Sequence, residues 1–136
     1  MSLAKAMLDT NIVSALIRSP HEGRLRDRLV AYGVDRVCMS IITSSEIQFG
    51  LARKPSPRIE RTLALICDTI EIVPFEAPAD LHYGQIRAAL ERAGTPISGN
   101  DLFIAAHALA LDLTLVTANT REFSRVPNLR LENWLT

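Results

Sequence analysis

At 136 residues, with 48 % hydrophobic and 22 % charged side chains, the chain has the composition of a folded domain and not of a disordered polymer. Fifteen basic residues balance fifteen acidic ones, which excludes a uniformly basic nucleic-acid-binding domain. No stretch reaches the roughly 18 apolar residues of a membrane span, and Cys38 and Cys67 lack zinc-site spacing, so we expect one soluble domain over residues 1–136, with reduced thiols, in the cytoplasm.

Short apolar or β-branched runs mark strands, and longer runs with a period near 3.6 mark helices. In KAMLDTNIVSAL a strand over Ala4–Leu8 stops at Asp9 and a helix covers Asn11–Arg18. A helix over Glu22–Ala31 follows, then a strand over Arg36–Met39 and a helix over Thr43–Arg53 in MSIITSSEIQFG. Pro55 and Pro57 divide that helix from the next, Ser56–Cys67, because proline cannot continue a helix. A strand over Thr69–Pro74 leads to a helix over Ala79–Ala93. The loop Gly94–Gly99, GTPISG, closes that helix with Gly94 and bars its continuation with Pro96. The helix Asn100–Leu111 is apolar on nearly all sides and is therefore central; Asp112 suits a left-handed cap at its end. Strands over Thr114–Thr117 and, more weakly, Arg130–Glu132 complete the chain.

Alternating strands and helices predict a parallel sheet with crossover helices on both faces. Ligand sites in such sheets lie at the carboxyl ends of the strands, where Asp9, Glu46 and Asp101 all fall. Helix capping is the competing explanation for two of them. Thr43 and Glu46 have capping-box spacing, as do Ser98 and Asp101 with Asp in place of Glu. Asp9 resists that explanation, because a carboxylate ending an apolar central strand is costly to bury without a partner. If the three acids converge without lysine or arginine, they require a proton or a cation, and hard divalent ions choose such oxygen sets.

The segments MLDTN, SSEIQFG, GTPISGNDLFIAAHALAL and LVTANTREFSRVPNLRLENW, in this order over almost the whole chain, resemble PIN-domain proteins, and most nearly the VapC-type toxins of bacterial toxin–antitoxin pairs. The resemblance implies a three-layer α/β/α sandwich around a mainly parallel sheet. It further implies an endoribonuclease dependent on Mg²⁺, or Mn²⁺ in its place, leaving 5′-phosphate and 3′-hydroxyl ends. Carried onto matching positions, the catalytic and metal-binding acids are Asp9, Glu46 and Asp101. Asn119 stands where many relatives place a fourth acid, and is read as a catalytic-site residue that ligates weakly or hydrogen-bonds a metal-bound water. Glu122, close by, reads as a surface acid on a short helix. Arg121 and Arg125 follow the late strand and are expected to grip RNA at the pocket rim, with Arg18 or Arg24 near the first helix. Thr10, Asn11, Thr43 and Asn100 are candidates to orient the carboxylates, each with capping as the alternative. The implied partners are an RNA of the tRNA or ribosomal class, a cognate antitoxin docked on the hairpin of helices Thr43–Arg53 and Ser56–Cys67, and a second copy of the chain.

Other polar and aromatic residues read as structural. His107 lies about 240° around its helix from Asp101 and is expected in the core. Tyr83 and Phe75 read as core, and Trp134 closes the core or a dimer edge. A phospho-acceptor receiver domain would need a lysine on a late strand, whereas lysine occurs only at positions 5 and 54. A non-catalytic PIN-like module that binds RNA or protein stays open because of Asn119.

Overall fold

In the computed structural model, which describes residues 2–136, four of the five strands are shorter than the runs that announce them. The five are β1 (Ala6–Leu8), β2 (Val37–Ser40), β3 (Glu71–Val73), β4 (Thr114–Val116) and β5 (Leu131–Glu132). All pair in parallel, in the order β3-β2-β1-β4-β5, with Met7 opposite both Cys38 and Leu115. The helices are α1 (Thr10–Arg18), α2 (Arg24–Tyr32), α3 (Ile41–Arg53), α4 (Pro57–Thr69), α5 (Ala79–Arg92), α6 (Gly99–Ala110) and α7 (Thr120–Phe123). This is the expected α/β/α sandwich.

Side-chain alternation along the strands divides the core in two. Ala6, Leu8, Val37 and Met39 face one layer, where they meet Ile12 and Val13 of α1, Leu29 of α2, Ile47 of α3 and Leu63 of α4. Met7, Cys38, Val73 and Leu115 face the other, against Ile86 of α5, Ile104 of α6 and Phe123 of α7. Trp134 is buried with the first layer, its ring 5.1 Å from that of Tyr32, so it closes the core and not an edge. Asp112 takes φ 56°, the left-handed cap its position predicts. No helix among the described residues is long and apolar enough to cross a membrane.

Two boundaries move for reasons that matter below. Helix α3 begins at Ile41 and not at Thr43, because the Ser40 hydroxyl accepts from Ile42 N at 3.0 Å and caps it. A capping box of Thr43 with Glu46 is therefore not formed, and Thr43 is buried inside the helix. Helix α4 runs on through Thr69, with Ile70 N bonded to Ile66 O, which delays β3 to Glu71. Helix α6 is capped by Ser98, as the spacing predicts.

The order of strands locates the site. The chain steps outward from β1 to β2 and β3, then returns to lay β4 on the other side of β1. Between β1 and β4 the connections diverge, and that crevice is where open parallel sheets receive ligands.

Leu115 is fully buried on β4, whereas Leu65 on α4 is 64 % exposed. Urea unfolding of Leu115→Ala should show a loss of about 2–5 kcal/mol. Leu65→Ala should stay within about 0.5 kcal/mol of the parent chain. Comparable losses at both positions would contradict this assignment of the core.

Candidate active site

Asp9 follows β1 directly, caps α1, and is only 3 % exposed. Its Oδ1 accepts from Ile12 N at 2.9 Å and its Oδ2 from the Thr117 hydroxyl at 2.6 Å, while its own N donates to Val116 O at 3.0 Å. The carboxylate thus bridges the ends of β1 and β4 across the crevice. Burial raises its pKa, outweighing the hydrogen bonds that favour the charged form, and the charge of Glu46 adds to the rise. Thr117 was not among the residues expected here; its only signal was a hydroxyl closing the otherwise apolar run LVT.

Glu46 projects from α3, and the Thr10 hydroxyl donates to its Oε1 at 2.6 Å. The hydroxyls of Thr10 and Thr43 lie 3.3 Å apart, so both threonines brace Glu46 and neither caps a helix. Asn11 and Asn100 are exposed, and no side-chain hydrogen bond joins either to the acids.

Asp101 sits half-buried in the first turn of α6, its N directed at Ser98 Oγ at 3.4 Å. In a capping box the Asp101 carboxylate would accept in return from Ser98 N. That N–H instead donates to Glu122 Oε1 at 3.3 Å, and Glu122 Oε2 accepts from Asn119 Nδ2 at 2.9 Å. Glu122 is therefore half-buried and clamps α7 to the start of α6, which corrects its reading as a surface acid. Asn119 directs its amide at Glu122, and its backbone N donates to Thr117 Oγ1 at 2.9 Å. The negative charge of the nearby Glu122 favours a proton on Asp101, while Glu122 itself is held below the usual carboxylate range, first by the Asn119 amide. Burial, first, and then the charges of Glu122 and Asp9 push the Asp101 pKa up to about 6.

Asp9, Glu46 and Asp101 form no ion pair among the described residues, while the charge of Arg125 helps to lower the pKa of Glu122. The ion pairs among the described residues lie elsewhere, at Arg28–Glu132, Arg87–Glu91 and Arg130–Asp112. Arg125 Nη1 donates to Pro96 O at 3.1 Å and so braces the loop before α6, while Arg121 is exposed. Arg18, Lys54 and Arg58 line a groove that begins at Thr10 and Glu46 and runs between α1, α3 and α4, whereas Arg24 starts α2. Hard oxygen donors without a counter-ion suit a divalent cation. As they stand, no three His, Cys, Asp or Glu side chains among the described residues enclose an ion. The fit therefore lies in the donor chemistry and in the raised pKa values of Asp9 and Asp101, not in a finished cage. His107 stays apart from the acids, buried in the core.

Residues 6–129 match the PIN domain family. The chain is 40 % identical over 130 residues to Ribonuclease VapC2 of Rickettsia felis, covering 94 % of this chain and 96 % of that protein. It is 38 % identical over 135 residues to the tRNA(fMet)-specific endonuclease VapC of Salmonella typhimurium, covering 97 % and 99 %. It also superposes, with a TM-score of 0.87 at 37 % identity, on the crystal structure of VapBC2 from Rickettsia felis bound to a DNA fragment from their promoter, over 95 % of this chain and 98 % of that one.

Asp101 keeps its proton to about pH 6 when folded, against 3.8 for the free group. Between those values the folded chain binds more protons than the unfolded one, so this group's contribution to stability falls as pH rises. In metal-free thermal melts, the Tm of Asp101→Asn should gain on that of the parent chain from pH 4 to pH 6. A Tm difference that is flat or shrinks over that range would contradict the placement of the proton.

Proposed function

The chain belongs to the PIN-domain family, and from that premise we propose that it is a metal-dependent endoribonuclease, the toxin of a VapC-type toxin–antitoxin pair. One observation carries the reading: Asp9 is buried at the end of β1 without an ion pair among the described residues, the charge of Glu46 raises its pKa, and its own charge helps to raise that of Asp101. The ion we assign is Mg²⁺, with Mn²⁺ as a substitute, because the donors are all hard oxygens. Asp9 and Asp101 would hold it, with Glu46 completing the shell directly or through water. A divalent ion there supplies Lewis acidity toward a phosphoryl oxygen and a water acidified for in-line attack.

The remaining residues prepare those carboxylates. Thr117 and Ile12 N fix both oxygens of Asp9, so its second lone pairs face a set direction. Thr10 holds Glu46. Asp101, its pKa pushed by burial up to about 6, would carry its charge at neutral pH. Glu122 would stand as the fourth carboxylate that Asn119 does not supply. Arg121 and the cations of the groove, Arg18, Lys54 and Arg58, offer phosphate contacts around an acidic floor. Relatives named as a ribonuclease and a tRNA(fMet)-specific endonuclease make initiator tRNA the first substrate to try. Solved relatives that are complexes with an antitoxin support a cognate antitoxin as the neutralising partner here.

Purified chain, freed of any antitoxin, should cleave tRNA with Mg²⁺ or Mn²⁺, and Asp9→Ala or Asp101→Asn should reduce cleavage to the level of an EDTA control. Thr117→Val should lower kcat by roughly 10- to 100-fold while the variant stays folded, as expected when a residue that orients a ligand is lost. Cleavage that persists in EDTA, or survives Asp9→Ala, would contradict the assignment.

A further inference from the structure

The layer between the sheet and α6 is apolar, built from Met7, Cys38, Ile104 and Ala108, except for one polar pair. His107 on α6 and Ser40 at the end of β2 are 1 % and 0 % exposed, with His107 Nδ1 2.8 Å from Ser40 Oγ. We propose that His107 is a positioning residue: through Ser40 it fixes the start of α3, and so the place of Glu46 relative to Asp101. The inference rests on the nuclease reading of those acids.

Ser40 is the N-cap of α3, its Oγ accepting from Ile42 N. The hydroxyl still has a proton and a second lone pair free, so it meets Nδ1 of a neutral imidazole either as donor or as acceptor. The other ring nitrogen, Nε2, is buried without a hydrogen-bond partner. Burial favours the neutral ring. Phe75 packs edge-on against it at 5.2 Å, which limits its rotation.

Stability alone is a poor reason for this pair. A buried imidazole with one orphaned nitrogen is costly, and an apolar side chain in that layer would avoid the loss. The placement of the pair supplies a better reason. Glu46 lies six residues beyond Ser40 on α3, and Asp101 lies six residues before His107 on α6. Each interval is about 9 Å of rigid helix. The hydrogen bond is thus the tie that indexes the two acid-bearing helices against each other. Thr43, in the same first turn of α3, passes the position on to Thr10 and Glu46.

The test compares Ser40→Ala, His107→Leu, their combination, His107→Asn, which keeps a hydrogen-bonding atom near the Nδ1 position, and His107→Gln, which keeps one near Nε2. Mn²⁺ binding is read by electron paramagnetic resonance, RNA cleavage as separate kcat and KM, and backbone amide exchange in the metal-free chain. Ser40→Ala and His107→Leu should each weaken Mn²⁺ binding and kcat by roughly 10- to 100-fold with KM unchanged. The double variant should lose no more than either single one. His107→Asn should recover most of the loss, and His107→Gln should not. Amides over 43–47 should exchange faster in His107→Leu, which keeps the Ser40 cap, than in the parent chain. Unchanged Mn²⁺ affinity in Ser40→Ala, unchanged exchange in His107→Leu, strictly additive losses, or rescue by Gln and not Asn would overturn the proposal. If His107→Leu does not fold, Ser40→Ala and His107→Asn decide. If the parent chain neither binds Mn²⁺ nor cuts RNA, the nuclease reading fails by itself, and the amide exchange still decides whether the tie exists.

Discussion

A carboxylate buried where β1 and β4 part is the constraint around which this fold is arranged. Asp9 is held by the first turn of α1 and by Thr117, and the amino end of the helix favours its charge. Those interactions fall short of the desolvation, since the pKa still rises. A cation removes the deficit. The charge of Glu46 deepens that deficit and the charge of Asp9 adds to the rise at Asp101, while the ion pairs among the described residues lie elsewhere.

Asp9 and Glu122 are joined by a relay of polar contacts. From Asp9 it passes through the Thr117 hydroxyl to the backbone N of Asn119, then through the Asn119 amide to Glu122 and on to Ser98, which caps α6 at Asp101 N. Two consequences follow from this path. Glu122, three residues beyond Asn119 and about one turn on, holds both the Asn119 amide and the Ser98 N–H. Because Glu122 occupies the Ser98 N–H, the Asp101 carboxylate is also released from the capping role that its spacing suggests. Asp101 is left to face the crevice and the charge of Asp9.

Much of this was legible in the chain. Alternating runs announced every strand and six of the seven helices among the described residues, and the strand-end rule singled out Asp9, Glu46 and Asp101 before any coordinates. What escaped notice depended on contacts between distant segments. Ile41, Ile42 and Thr43 are β-branched and resemble the end of a strand, yet Ser40 caps them into α3. Four residues are too few for α7 to show a helical period. Thr117 is one hydroxyl after an apolar run, and Glu122 resembles any first-turn acid. Their roles come from partners Asp9, Ser98 and Asn119, two of which lie far off in sequence. Arg125, expected at the substrate rim, is engaged with Pro96 for the same reason.

Whether Asp9 and Asp101 hold a divalent ion at the β1/β4 crevice is open to anomalous diffraction from crystals grown with Mn²⁺ at pH 7.5. One strong peak is expected within coordination distance of both carboxylates, about 2.0–2.4 Å. A peak bound elsewhere, or none at the crevice under conditions in which the chain cuts RNA, would contradict the assignment.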